Sequence, residues 1–376
     1  MRVVFVTHNY PRHAGDVPGA FLHPLATALL ARGHDVRVVA PADRGRDGRE
    51  PLDGVPVRRV HYAEPDRENL AYEGTMQHAV RSPAGLLALR GLIRALRDGA
   101  RSEAEDAEGE TVLHAHWWIP AGLALPRELP RVVTLHGTDG LLLEQQPALR
   151  WLGKRVLRRA RVVTAVSEDL AARVARVTRR RDVMGRVQPM PVDSTERPWS
   201  RGGGGIVVVA RLTRQKRVDL AVRTLAELDG PLTIIGDGPE RPNLERLVAS
   251  LKLQTRVRFT GLLPGSEVAR ELGSADVMLF PAVNEGFGLA AIEALMAGVP
   301  VVACRDGGGV VAAVQAHGGG MITDPMPGAL ARAVRVSRTP ARRASARTAG
   351  EHWREALAPG AVAERFEGWY REALRA

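Results

Sequence analysis

Asn284-Glu285-Gly286-Phe287-Gly288-Leu289-Ala290-Ala291-Ile292-Glu293-Ala294-Leu295-Met296-Ala297-Gly298-Val299-Pro300-Val301-Val302-Ala303 decides how this chain folds. The run before it, Asp276-Val277-Met278-Leu279-Phe280, reads as a buried strand. Gly286 and Gly288 flank Phe287 and suit a tight turn that lets backbone approach a ligand. Leu289 to Met296 are good helix formers, and Gly298 followed by Pro300 stops the helix. Val299 to Ala303 read as the next buried strand. The first helical N–H groups, near Leu289 and Ala290, lack intrahelical acceptors, and the helix dipole adds positive charge there. That end suits an anion. Glu285 before the helix and Glu293 inside it put carboxylates beside an anion site, which suits the binding of hydroxyls. Phosphate together with hydroxyls is the chemistry of a nucleotide sugar.

The same alternation opens the chain. Arg2 to Thr7 form a strand, residues 8–19 a loop, Phe21 to Arg32 a helix, and Asp35 to Ala40 a second strand. A strand–helix–strand opening implies a parallel sheet, with ligands at the carboxyl ends of its strands. The first loop lacks Gly-x-Gly-x-x-Gly, which argues against a dinucleotide-dependent dehydrogenase. Asp43 to Asp53 read as a charged surface loop, and Ala84 to Arg101 as an amphipathic helix. Two strands then end in polar aromatic turns: Thr111 to His116 runs into Trp117-Trp118, and Arg131 to Leu135 into His136-Gly137-Thr138-Asp139. His114, His116 and His136 have no fourth ligand at a recognised metal spacing, so no metal site is assigned. Pro147 to Arg161 form a basic helix, and Ser167 caps the next one. Asp193 to Gly205 are polar, with Pro198 and four consecutive glycines, and read as a linker.

A second α/β series follows. Ile206 to Ala210 lead into Arg211 and Lys216. Leu232 to Ile235 lead into Gly236-Asp237-Gly238-Pro239, and Val257 to Thr260 into Gly261-Leu262-Leu263. Arg211 and Lys216 leave a strand's carboxyl end in the layer of the Glu285 turn, where two cations can hold a diphosphate.

Glu285 and Glu293, enclosing Phe-Gly-Leu, resemble the paired-glutamate motif of the retaining, nucleotide-sugar-dependent glycosyltransferases of family 4. The turns at Arg211–Lys216, Gly236–Pro239 and Phe259–Gly261 are similar to that family's carboxyl domain, and His136-Gly-Thr-Asp to its active-site histidine motif. The resemblance spans nearly the whole chain and is strongest from Ile206 to Ala303. It implies the α/β fold called GT-B, two Rossmann-like parallel-sheet domains facing across a cleft. Residues 1–193 would form the acceptor-side domain, 194–205 the linker, 206–355 the nucleotide-sugar domain, and 356–376 a helix crossing back to the first domain.

The resemblance also implies roles. Glu293 would hold the ribose, and the backbone of Gly261, Leu262 and Leu263 would meet the base. Arg211, Lys216, Leu289 and Ala290 would hold the diphosphate. Glu285, Gly286, Phe287 and Gly288 would hold the sugar, and His136 would face its anomeric centre. Gly19, His116, Trp117 and Asp139 would lie on the acceptor side, although this chain has Gly19-Ala20 where the family has two glycines. Retention of configuration is implied by the family alone. The chain contains no Asp-x-Asp pair, so metal-independent transfer is expected, with no cofactor beyond the nucleotide-sugar co-substrate. The alternatives are a nucleotide-sugar 2-epimerase-like enzyme and a catalytically silent nucleotide-sugar-binding protein.

Composition sets the remaining bounds. A chain of 376 residues with 45% hydrophobic content suits two domains. Cys304 is the sole cysteine, which excludes an internal disulfide. The N-terminus lacks a signal-peptide pattern, and no apolar run reaches about 18 residues, so a cytoplasmic protein is expected. The net charge of +11 comes mainly from arginine; Lys154, Lys216 and Lys252 are the lysines. Aromatics make up 4% and do not interleave with basic residues, so nucleic acid is not an expected partner. The arginine-rich helices read as solvated faces in preference to a peripheral membrane surface. The expected partners are a nucleoside-diphosphate sugar and an acceptor, with the chain a monomer or homodimer.

Overall fold

A computed structural model describes residues 1–72, 76–105, 107–194 and 197–375, with the backbone alone at 77 and 78. The chain divides into two compact units. One comprises residues 1–191 and the last helix, Pro359–Arg375; the other comprises residues 192–358.

The first unit is built on seven strands: β1 (Arg2–Val6), β2 (Asp35–Pro41), β3 (Gly48–Leu52), β4 (Val55–Val60), β5 (Thr111–His116), β6 (Arg131–Leu135) and β7 (Val162–Ala165). Their order is β3-β4-β2-β1-β5-β6-β7. All neighbours run parallel except β3, which is antiparallel to β4. Strand β5 is buried along its whole length, as expected where both sheet faces are covered. The stretch expected to be a surface loop contains β3. Asp53 (φ 46°) and Gly54 (φ 80°) form the two-residue hairpin turn that folds it onto β4.

The last helix packs on helix His23–Ala31. Glu367 accepts from Arg32 Nε at 2.6 Å and lies 2.8 Å from His34 Nε2, and this pairing holds its carboxyl down at about 2. Phe366 and Tyr370 are fully buried packing residues.

The second unit carries β8 (Ile206–Val209), β9 (Leu232–Ile235), β10 (Val257–Gly261), β11 (Val277–Phe280), β12 (Val301–Cys304) and β13 (Gly320–Thr323), all parallel, in the order β10-β9-β8-β11-β12-β13. Cys304 is buried, which pushes its thiol up to about 11. The polar stretch expected as a linker is docked onto this unit in its described part. The Asp276 carboxylate accepts from Gly203 N at 2.7 Å and Gly205 N at 3.0 Å. Trp199 lies under the guanidinium groups of Arg347 and Arg354, at 4.7 and 3.9 Å. Among the described residues no helix is long and apolar enough to cross a membrane.

Strand order reverses between β1 and β5 in one sheet and between β8 and β11 in the other. Ligands of open parallel sheets bind outside the carboxyl ends of strands at such switch points. Each unit therefore has one favoured edge.

Candidate active site

At the β8/β11 switch point the exits of both strands are stitched together. Val283 N donates to Gln215 O at 3.0 Å, and Gln215 Nε2 returns bonds to Val283 O and Asn284 O at 3.1 and 3.2 Å. Lys216 Nζ forms an ion pair with Glu285 Oε2; the two side chains are 22% and 19% exposed. Glu285 is fixed from the other side too. Its N–H donates to Gly307 O at 2.7 Å, and its carbonyl accepts from Gly309 N at 2.8 Å. A Cβ on Gly308 (φ 75°) would lie 2.7 Å from Glu285 O, so only glycine allows this approach.

Helix Leu289–Met296 starts directly after this turn, with Gly288 as its left-handed N-cap (φ 85°). Leu289 and Ala290 are half-buried, and their amides have no intrahelical acceptor. Arg211 is exposed on leaving β8 and has no ion pair among the described residues. The β9 turn presses against it: a Cβ on Gly236 would meet Ala210 O at 2.0 Å. Gly236 N also donates to Gly261 O at 2.8 Å, bringing the β10 exit alongside, with Leu262 63% exposed. Gly261 and Leu263 lie on the β10 exit, and Gly286 and Phe287, both buried, on the β11 exit. Two cations, free amides and a carboxylate thus share one edge, which suits a diphosphate with its attached hydroxyls.

Glu293, inside the helix, is engaged by Arg197, a residue of the docked polar stretch. Arg197 Nη2 donates to Glu293 Oε1 at 2.8 Å and its Nε to Asp193 O at 3.1 Å; Arg354 anchors its carbonyl at 2.8 Å. Reading of the sequence missed Arg197 because nothing local marks a linker arginine as the partner of a distant carboxylate. It also missed the structural part of Arg217, whose guanidinium holds Asp306 at 2.6 and 2.8 Å and Pro281 O at 2.7 Å. A cavity of about 570 Å³ lies nearby between two helices, and of the donor turns it touches Thr213, Arg214 and Glu240.

In the first unit the exits of β1, β5 and β6 bring together His8, His116, Trp117 and His136. His116 Nδ1 and His136 Nε2 are 3.1 Å apart. Trp117 lies against His136 and His8 with ring centroids at 4.5 and 4.4 Å. Its backbone takes φ 70°, a conformation that bulky residues seldom adopt outside functional sites. Phe21 completes the cluster, 5.2 Å from His136 and 5.8 Å from Trp117. The sequence reading placed Phe21 in a helix and passed over His8, although His8 ends a strand just as His116 and His136 do.

Burial drives all these imidazoles towards the neutral form: His8 down to about 4, His116 and His136 well below their ordinary value. His116 Nε2 is buried without a partner among the described residues. An unpaired buried N–H costs more than an unpaired lone pair, so the proton belongs on His116 Nδ1. His116 then donates to His136 Nε2, leaving His136 a neutral imidazole with Nδ1–H to offer.

Two further expected residues are held by local backbone contacts. Asp139 is buried, its Oδ1 accepting from the amides of His136, Gly137 and Gly140 at 3.1, 2.9 and 3.1 Å. It shapes the His136 turn, and burial raises its carboxyl to about 6. Gly19 (φ 75°) packs on the backbone of Asn9, where a Cβ would lie 2.3 Å from the carbonyl oxygen. His114 is core: its ring nitrogens bond Tyr370 Oη at 2.8 Å and Thr134 Oγ1 at 2.7 Å. Among the described residues no three His, Cys, Asp or Glu side chains converge as a metal ligand set.

Residues 198–350 match the family model for glycosyl transferases group 1, and residues 19–195 match that for glycosyltransferase family 4. The chain is 30% identical to a GDP-mannose-dependent alpha-mannosyltransferase of Mycolicibacterium smegmatis, covering 82% of this chain and 80% of that one. It is 33% identical to a 2-deoxystreptamine glucosyltransferase of Streptomyces kanamyceticus; that match covers 51% of this chain and spans 57% of the enzyme's length. The fold is similar to that of a sucrose-phosphate synthase from Thermosynechococcus elongatus, with a TM-score of 0.75 and 22% identity over 99% of this chain and 98% of that one. With the Glu285 turn, the helix that carries Glu293 and their cations on one sheet edge, these matches make the chain a member of the family 4 glycosyltransferases, of GT-B fold.

Proposed function

We propose that the protein is a retaining, metal-independent glycosyltransferase that moves a hexose from a UDP- or GDP-linked donor to a hydroxyl of a small-molecule, natural-product or lipid acceptor. The observation that carries this reading is the Lys216–Glu285 ion pair beside the Gly288-capped helix start. It holds a diphosphate cation and a sugar-hydroxyl acceptor next to each other. Relatives named for GDP-mannose and for glucosyl transfer support a hexose donor.

As the bond between the anomeric carbon and the diphosphate oxygen breaks, negative charge grows on that oxygen. Arg211, Lys216 and the amides of Leu289 and Ala290 stabilise it. The acceptor oxygen bonds to the anomeric carbon on the face the diphosphate leaves, and the diphosphate oxygen takes the acceptor's proton. Glu293 holds the ribose. Neutral His136 donates Nδ1–H to the sugar, and His116, Trp117 and Phe21 serve the acceptor side. The absence of an Asp-x-Asp pair supports metal independence.

The test is a thermal-shift panel of UDP-, GDP- and dTDP-sugars, followed by acceptor screening with and without EDTA. Stabilisation by one nucleotide class and EDTA-insensitive transfer with retained configuration are expected. Activity abolished by EDTA and restored by Mg²⁺ or Mn²⁺ would overturn metal independence. Epimer formation without acceptor would replace transfer by epimerisation, and donor binding without turnover on any acceptor would leave a silent binding protein.

A further inference from the structure

The first unit has a second polar concavity that this chemistry does not use. It lies between helix Pro83–Glu105 and helix Pro147–Arg159, beside the start of β6, with a volume of about 340 Å³. That is within the range of small-ligand pockets, at roughly 300–1,000 Å³. Arg131 opens β6 here and His136 follows its end, so the two are about 17 Å apart along the strand, at ~3.3 Å per residue.

Six arginines line it: Arg97, Arg101, Arg127, Arg131, Arg155 and Arg159. Among the described lining residues the one carboxylate is Glu128, held by Arg101 at 3.2 Å. Arg97 is fixed by donating to the carbonyls of Leu123 and Ala124, both at 3.2 Å. Arg127 and Arg159 have no ion pair among the described residues, and Arg131 Nε is buried with no hydrogen-bond partner among them. Burial, and then Arg159 and Arg127, hold the Arg131 guanidinium below its ordinary value. A solvated basic surface spreads its charges apart; here they converge on a concave space with a buried donor unfilled.

We propose that this cavity binds a phosphate-bearing anion. Guanidinium forks match phosphate oxygens in paired hydrogen bonds, and none of the lining cations is a lysine. Among the described residues the lining holds no aromatic ring on which a base could stack, so recognition rests on the phosphate. Two sources share this chemistry, a free phosphate compound and the headgroup of an anionic lipid.

Inorganic pyrophosphate is the probe, titrated calorimetrically into full-length protein. The donor turn also binds it under the proposed function, so binding is measured in a Lys216→Ala background. There the protein is expected to keep one pyrophosphate site, weakened at least tenfold by Arg127→Gln/Arg159→Gln. That double change relieves repulsion, so it is expected to raise Tm in phosphate-free buffer, which separates loss of the site from loss of the fold. Flotation with phosphatidylglycerol and with phosphatidylcholine vesicles distinguishes the sources. Arginine-dependent binding to anionic vesicles, competed by pyrophosphate, assigns a lipid headgroup; pyrophosphate binding without vesicle binding assigns a free compound. If Lys216→Ala removes all pyrophosphate binding and vesicles do not bind, or if the arginine changes alter neither, the proposal is overturned.

Discussion

Lys216 Nζ and the Glu285 carboxylate are ion-paired across the exits of β8 and β11, although 69 residues separate them in the chain. The pair keeps each group in place on a strongly charged sheet edge. It also makes the two residues unequal in their loss. Removing Lys216 takes away a diphosphate cation and leaves an unpaired carboxylate where phosphate must come. Lys216→Ala and Glu285→Ala are each expected to lower kcat at least ~100-fold, about 2.7 kcal/mol of transition-state stabilisation. Adding Glu285→Ala to Lys216→Ala should cost less than the sum of the single effects, because the residual repulsion is gone. Steady-state kinetics of the cycle checks this; near-normal turnover in either single variant would sink the assignment.

Arg197 holds Glu293 at 2.8 Å, with both side chains largely shielded. If Glu293 receives the ribose, Arg197 positions its carboxylate and does not react. Arg197→Ala and Glu293→Gln are then both expected to raise the donor KM several-fold, with kcat changed far less than in Lys216→Ala. A purely structural ion pair would lower the melting temperature of both variants and leave the donor KM alone, so the two readings part on KM.

Much of this architecture was legible because its signals are local. In the Glu285–Ala303 stretch the apolar runs, glycine punctuation and helix stop lie within 20 residues, and helix Leu289–Met296 has the bounds read from them. Strand β3 was not legible in the same way. Gly48-Arg49-Glu50-Pro51-Leu52 has no apolar alternation, since the strand is exposed along most of its length, and its real signal was Asp53-Gly54 beyond it. The candidate site divides similarly. Lys216 and Glu285 could be placed on one edge from strand order, but their bond could not be read from spacing. Arg197 and Phe21 arrive by tertiary packing from segments whose local sequence fits a linker and a helix. Asp139 sits inside a motif that reads as ligand-facing, and its short side chain turns back onto the amides of His136, Gly137 and Gly140.

Gly288 tests whether the helix start itself is part of the machinery. Its φ of 85° disfavours a side chain, and an added Cβ would lie 2.6 Å from Val310 Cγ2. Gly288→Ala is expected to cost about 2 kcal/mol of stability and to weaken donor binding, because the amides of Leu289 and Ala290 shift with the cap. Gly368→Ala is the control: it sits in the last helix at ordinary φ, with no atom of the described residues near the added Cβ, and should stabilise by about 1 kcal/mol. Urea denaturation measures both, and a neutral Gly288→Ala would show that the turn has slack.

Asp139 carries a pH signature of the His136 turn. Its carboxyl stands at about 6 in the folded chain against an ordinary 3.8, chiefly through burial. Between those values the folded state holds more protons than the unfolded one. The contribution is therefore fully present below about pH 3.8 and is lost as pH rises through about 6, up to about 3 kcal/mol for the two-unit shift. His8 acts in the opposite sense: lowered to about 4 from 6.5, it favours the fold above pH 6.5 and disfavours it as pH falls through 4. The whole-protein profile mixes the two, so the informative quantity is the stability difference between wild type and Asp139→Asn. Asparagine keeps an oxygen for the amides of His136, Gly137 and Gly140 and cannot ionise. Asp139→Asn should therefore gain on wild type between pH 4 and pH 7, with the gain levelling off above the carboxyl's folded value. Chemical denaturation across that range decides it: a pH-independent difference would mean that the carboxyl is already ionised in the fold at pH 4.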